Sequence, residues 1–197
     1  METKNIIALV REKLDLYRKP YIDTGYLQKI LDKFAPNYTI KQLCNLDIIR
    51  PIKRGKWYLN RKSRDFINPF VVGALYMGDE MYVFGGMSVY NRYSLSEQIA
   101  EVYTIYNTKT SWEKEIAGIR YNFIRQRESF FYGIEKEKIE DYEYHIMSPE
   151  RAYIQMIREG KSFSFIPKNI QKEEVIRLAE QNASKSLQSL IKKYVSL

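Results

Sequence analysis

Basic and amide side chains crowd one short stretch of the sequence, between residues 41 and 61. Such side chains hydrogen-bond to phosphate oxygens and to base edges, so this stretch could contact a nucleic acid. The residues that could read base edges are Lys41, Gln42 and Asn45. The residues that could hold phosphates are Arg50, Lys53, Arg54 and Lys56. Trp57 and Tyr58 follow, and one of them is expected to pack beneath a sheet rather than to stack on a base.

The charge of the chain is concentrated in the same region. Residues 1–64 contain 15 Lys and Arg against 6 Asp and Glu, a net charge of +9. Residues 65–197 contain 17 against 18, a net charge of −1. This asymmetry indicates a basic module joined to a neutral one, and nucleic acid is the expected anionic partner. The alternative is a small basic surface that binds nothing.

Gly85 and Gly86 could serve a different chemistry. They stand between a predicted strand and a predicted helix, which is a setting for an anion-binding loop. Nucleotidyltransferases use such a loop together with two or three carboxylates that hold magnesium. The next predicted strand offers only Glu101. The favoured interpretation is that the two glycines let a strand and a helix pack closely.

Other residues that could do chemistry stand alone. His145 is the only histidine, Cys44 is the only cysteine, and no Gly-x-Ser-x-Gly nucleophile motif is present. The acidic run at 135–143 is interleaved with lysines and predicts a solvated loop that leads into a strand. The sequence therefore predicts no catalytic residue, no metal site, no cofactor and no enzymatic activity.

Composition bounds the class of protein. The 197 residues are 45% hydrophobic and 28% charged, which is typical of a globular chain. No apolar run approaches the roughly 18 residues that a membrane span needs, and residues 1–4 do not begin a signal peptide. A single cysteine excludes an internal disulfide and is compatible with a reducing compartment. The expected location is the cytoplasm, with no membrane partner.

Three helices and a hairpin are predicted in the first third of the chain. Apolar spacing predicts a helix over residues 4–17 and a second helix capped by Asp23 or Thr24. Thr39 and Gln42 form a capping-box pattern at the start of a short third helix. Two strands follow, joined by a turn in which Gly55 supplies a positive φ. This order is that of a winged helix-turn-helix, over residues 1–62.

Residues 63–197 predict a mixed α/β domain with C-terminal helices, so the fold class is α+β. Helices are predicted at 66–77, 87–93, from Ser148-Pro149 to Gly160, at 171–181 and at 184–195. Strands are predicted at 81–84, 100–107, 119–124, 129–134 and 141–147. In a winged helix-turn-helix the third helix enters the major groove and the wing lies against phosphates. Lys41, Gln42 and Asn45 would then face the groove.

Three motifs resemble a known family, in the right order. They are Lys53-Arg54-Gly55-Lys56-Trp57-Tyr58 in the wing, the segment 82–107 with Tyr93-Ser94-Leu95-Ser96-Glu97-Gln98 at its centre, and the segment 146–157 that contains Ser148-Pro149-Glu150. This pattern resembles the AbiEi-type antitoxins and transcriptional regulators of type IV toxin–antitoxin systems, which act in abortive phage infection. The resemblance covers residues 5 to 180.

This resemblance implies a repressor and an antitoxin. The winged helix would bind inverted repeats in double-stranded promoter DNA and repress its own operon. The second domain would neutralise a nucleotidyltransferase-like toxin, without a stable complex being implied. The alternatives are an adaptor whose winged helix binds protein and, less favoured, a nucleotidyltransferase-like enzyme built on Gly85 and Gly86.

Overall fold

The computed structural model describes residues 2–17, 19, 21–60, 68–139, 141–161, 167–168 and 170–195. Its class is α+β, as the sequence predicts. The chain divides into two compact units, Met1–Asn68 with Ile116–Gly118 and Pro69–Glu115 with Ile119–Leu197. The predicted domain boundary between 62 and 63 lies outside the described residues. Among the described helices, none has the length and apolar character needed to cross a bilayer.

The first unit packs three helices on a small antiparallel sheet. Its elements are α1 (Glu2–Asp15), β1 (Tyr21–Asp23), α2 (Thr24–Phe34), α3 (Ile40–Asn45), β2 (Ile49–Lys53) and β3 (Lys56–Leu59), with the strand order β1-β3-β2. The core joins all three helices to β2 and β3 through side chains that include Val10, Leu27, Leu31, Leu43 and Ile49, each at most 1% exposed. These apolar contacts fix α3 against the sheet.

Strand β1 is the element that sequence patterning misses in the first unit. It has only three residues, too few for an alternating pattern. It forms because β3 offers an open edge, so that Tyr21 pairs with Tyr58 and Asp23 with Lys56. The predicted hairpin is confirmed: β2 and β3 pair antiparallel, and Gly55 has a φ of +85° in the turn.

The second unit is built on a six-stranded mixed sheet. Its strands are β4 (Tyr82–Gly85), β5 (Tyr103–Asn107), β6 (Trp112–Ile116), β7 (Ile119–Arg125), β8 (Ile134–Ile139) and β9 (Tyr142–Met147), in the order β6-β7-β5-β4-β9-β8. Its helices are α4 (Pro69–Met77), α5 (Met87–Arg92), α6 (Pro149–Arg158), α7 (Lys172–Asn182) and α8 (Lys185–Val195). Strand β5 is parallel to β7 and β4 is parallel to β9, whereas β4 is antiparallel to β5 and β8 to β9.

Two sequence predictions for this unit are wrong, and β6 was not predicted. The lysine-interleaved acidic run was predicted to be a loop, but Ile134–Ile139 forms the outer strand β8. An outer strand can carry this run because Glu135, Lys136 and Lys138 are exposed and the half-buried Glu137 pairs with Arg92. The strand predicted at 129–134 is wrong as well, since Glu128–Phe130 is a 3-10 helix. There the Phe130 ring is buried 4.7 Å from the Tyr106 ring instead of lying in a ladder.

Helix α6 begins as its sequence predicts and is buried more completely than its pattern indicates. Ser148 caps it by accepting a hydrogen bond from the Arg151 amide, and Pro149 occupies the first turn. Every side chain from Glu150 to Ile157 is buried. The helix therefore encloses polar groups, Glu150, Arg151 and Gln155, that an apolar stripe does not reveal.

Candidate nucleic-acid interface

Helix α3 is held by its cap and by one buried leucine. The predicted capping box is present: the Gln42 amide donates to Thr39 Oγ1 at 3.3 Å, and the Thr39 amide donates to Gln42 Oε1 at 2.7 Å. Leu43 is 1% exposed and anchors the helix to the core. Lys41, Gln42 and Asn45 are exposed. The local sequence thus turns this short helix so that its polar side chains face solvent.

The cap limits what Gln42 can recognise. Bidentate pairing with adenine needs both the oxygen and the nitrogen of a side-chain amide. The Gln42 oxygen already accepts from the Thr39 amide, so only its amide nitrogen is available without opening the cap. Asn45 forms no hydrogen bond through its side chain within the described part of the chain. It is therefore better suited than Gln42 to a bidentate contact.

The β2–β3 hairpin is fastened to the start of α2. The Thr24 amide donates to the Gly55 carbonyl at 3.0 Å, and the Trp57 indole nitrogen donates to Thr24 Oγ1 at 2.7 Å. Lys56 Nζ lies 2.7 Å from Asp23 Oδ1. These contacts hold the turn in a fixed position. Trp57 packs against the core of the unit, and Tyr58 is buried with its ring 6.0 Å from the Tyr21 ring, so the prediction that one of the two aromatic residues packs is confirmed.

Two of the predicted phosphate-binding cations carry carboxylate partners. Arg50 donates to both oxygens of Asp47, with Nε 2.9 Å from Oδ1 and Nη2 3.1 Å from Oδ2. Lys56 pairs with Asp23 as described above. The bonds from Arg50 lower the pKa of the Asp47 carboxyl, and Asn60 contributes by donating a further bond. Phosphate would have to compete with Asp47 for Arg50 and with Asp23 for Lys56.

The other three predicted basic contact residues are available to a polyanion. Lys41, Lys53 and Arg54 form no ion pair with any residue that the structure describes. Lys41 and Arg54 are exposed, and Lys53 is half-buried beside the hairpin turn. Their charges are therefore not offset locally, and a polyanion can bind them without first breaking a salt bridge.

Sequence reasoning missed the residues that organise the base of the hairpin. Asp47 has a φ of +50°, and its backbone oxygen and carboxylate both accept from the Asn60 side-chain amide, at 2.9 and 2.7 Å. Aspartate and asparagine tolerate this left-handed conformation better than most residues do. The i,i+3 spacing of Asp47 and Arg50 was the available signal.

The Gly85–Gly86 pair is closely packed, but the side chains that approach it belong to strands β5 and β9 and not to a helix. A Cβ on Gly85 would lie 2.7 Å from the Tyr106 ring, and a Cβ on Gly86 would lie 2.6 Å from Thr104 Oγ1. Gly86 also has a φ of +67°, which favours glycine.

No group of three metal-ligating residues occurs among the described residues. Burial and the nearby charge of Lys136 lower the pKa of His145 on β9.

No protein-family model matches the chain, and no curated protein sequence is significantly similar to it.

Proposed function

We propose that the protein is a DNA-binding transcriptional autorepressor and the antitoxin of a type IV toxin–antitoxin system. In this proposal the first unit is a winged helix-turn-helix, with α3 in the major groove and the β2–β3 hairpin along the phosphate backbone. The element order α1-β1-α2-α3-β2-β3 and the strand order β1-β3-β2 support that reading.

The observation that carries the proposal is the set of cations that form no ion pair with a described residue. Lys41 lies on the solvent face of α3, Lys53 ends β2, and Arg54 lies in the hairpin turn. A winged helix would direct these two elements to one duplex, with the hairpin supplying affinity that does not depend on sequence and α3 supplying the base contacts. Asn45 and Lys41 are the base-reading residues in this arrangement, while Gln42 maintains the cap.

The DNA-binding half is tested by a mobility-shift titration. The purified chain is titrated against the DNA upstream of its own gene and against an unrelated fragment, at about 50 and about 200 mM salt. The proposal requires tighter binding to the upstream DNA at both salt concentrations. Equal, weak binding to both fragments that disappears with salt would contradict it, and would favour the adaptor reading.

The antitoxin half rests on the three motifs that resemble the AbiEi-type proteins. It is tested by expressing the chain together with a nucleotidyltransferase-like protein encoded beside it. Restored growth is expected, and a Lys41→Ala, Arg54→Ala variant that no longer represses should still restore it. Growth arrest despite normal antitoxin levels would refute this half and leave the repressor intact.

A further inference from the structure

A buried arginine in the second unit has hydrogen-bonding groups without a partner. Arg151, on α6, is 1% exposed. Its Nη1 donates to Gln155 Oε1 at 3.1 Å, whereas its Nε and Nη2 donate to no described residue. Burial lowers the pKa of this guanidinium, and the positive charge of Arg158 lowers it further. An unsatisfied buried cation is costly to keep, so its missing partners need an explanation.

Two aromatic rings hold the Arg151 guanidinium between them. Its central carbon lies 4.6 Å from the centre of the Phe130 ring and 4.3 Å from the centre of the Tyr132 ring. Both rings come from the segment that joins β7 to β8. The positive charge of the guanidinium therefore lies against two aromatic rings, and cation–π attraction compensates for part of its lost hydration.

The same two rings line a cleft of about 410 Å³. Its other lining residues include Arg127, Ser129, Arg158 and Asn182. Among the described residues, no carboxylate lines the cleft, and neither Arg127 nor Arg158 forms an ion pair. The described lining therefore combines two guanidinium groups with hydroxyl groups.

The start of α8 borders this cleft, where the Leu187 amide donates to Ser184 Oγ at 3.4 Å. Ala183, Ser184 and Leu187 also line it, and Ser184 immediately precedes the eleven-residue helix. The first turn of a helix presents amide groups and partial positive charge, which favour an anion. The helix start and the two exposed arginines are separate positive features of the cleft, whereas Arg151 does not line it and contacts the Phe130 and Tyr132 rings that do.

We infer that this cleft binds a phosphate-bearing small molecule of nucleotide size. Arginine forks match phosphate oxygens in a bidentate manner, and the half-buried Tyr132 ring offers an apolar surface to a base. The volume lies within the range of small-molecule pockets and is too small to enclose a duplex. This site belongs to the second unit and goes beyond the proposed repressor and antitoxin activities.

The test is calorimetric titration of the full chain with inorganic phosphate, AMP, ADP, GMP and GDP, with adenosine and guanosine as phosphate-free controls. We expect at least one nucleotide to bind with a stoichiometry of one and the nucleosides to show at least tenfold weaker binding. Arg127→Gln with Arg158→Gln should weaken nucleotide binding at least tenfold. Both side chains are exposed, so this variant should fold.

A matched variant separates the cleft from general charge. Arg120→Gln with Arg177→Gln removes the same charge from two exposed, ion-paired arginines of the same unit and should leave nucleotide affinity within twofold. The inference is overturned if no phosphate compound binds, if both variants lose affinity equally, or if random duplex DNA displaces the nucleotide as effectively as unlabelled nucleotide does. None of these results depends on operator binding by the first unit.

Discussion

Replacing the two cations beside the hairpin turn should reduce both the affinity for upstream DNA and its dependence on salt. Lys53 and Arg54 have no ion pair with a described residue, so each can neutralise one phosphate without losing a protein partner. Each phosphate contact contributes about 0.9 to the slope of log K against log salt, so Lys53→Gln with Arg54→Gln should make the slope about 1.8 shallower. The same relation gives a loss of about 30-fold in affinity at about 150 mM salt.

Fluorescence anisotropy with a labelled upstream fragment measures this at four salt concentrations between about 50 and 300 mM. The control is Lys136→Gln with Lys138→Gln, which removes two positive charges from exposed positions on β8 of the second unit. That control should change the slope by less than about half a unit. Thermal unfolding of both variants establishes that they fold.

The reasoning is refuted if the hairpin variant keeps the slope and affinity of the unaltered protein. It is also refuted if the β8 control loses as much affinity as the hairpin variant, because binding would then follow net charge and not the hairpin. A shallower slope with unchanged preference for the upstream fragment would agree with a hairpin that holds the backbone only.

Four further predictions concern stability, DNA binding and pH dependence. Thr39→Ala removes the capping box of α3 and should lower the free energy of unfolding by about 0.5–2 kcal/mol, measured by urea denaturation, whereas Thr39→Ser should restore most of it. Gly86→Ala should lower the melting temperature of the second unit more than Gly25→Ala lowers that of the first. A Cβ on Gly25 meets open space, whereas one on Gly86 lies 2.6 Å from Thr104 Oγ1. Equal decreases in melting temperature for the two variants would contradict the close packing. Asp47→Asn should tighten DNA binding by releasing Arg50, measured by anisotropy. Because folding lowers the pKa of Asp47, its contribution to stability is present above the ordinary carboxyl pKa and is lost as pH falls through the folded value; the exposed pair is worth less than about 1 kcal/mol, and Asp47→Asn should abolish this part of the acid dependence.

Local patterns predicted the parts of the fold that local interactions determine. The capping box at Thr39 and Gln42, the positive φ of Gly55 and the Ser148 cap each depend on residues within a few positions, and each is confirmed. Helices α7 and α8 were also predicted to within one residue at each end, because their apolar stripes are local patterns. These signals do not depend on how distant elements pair.

Sequence patterns could not predict features that depend on residues distant in the sequence. Strand β1 exists because β3 accepts it, and β8 is a strand because β9 pairs with it despite a charged composition. The strand order of the six-stranded sheet has no local signal. Arg151 lies in the part of α6, from Glu150 to Ile157, that is buried on every side, so its burial follows from tertiary packing that periodicity does not report.

The sequence predicted which residues make up the candidate interface, but not the residues with which they form ion pairs and hydrogen bonds. All seven residues lie on α3 or on the β2–β3 hairpin and its turn. Their carboxylate and amide partners were not predicted, because Asp23 reaches Lys56 through the pairing of β1 with β3, and Asn60 reaches Asp47 across the hairpin base. Of the seven, Lys41, Lys53 and Arg54 remain the cations without a described counter-charge.

The outer strands of the six-stranded sheet have a consequence for self-association. Strand β6 reads Trp112-Glu113-Lys114-Glu115-Ile116 and β8 reads Ile134-Glu135-Lys136-Glu137-Lys138-Ile139, so each unpaired edge carries alternating charges of both signs. An incoming strand would have to bury those charges against its own, which discourages fibrillar growth and strand exchange between copies. Any assembly of copies is therefore expected to use helix or sheet faces rather than these edges.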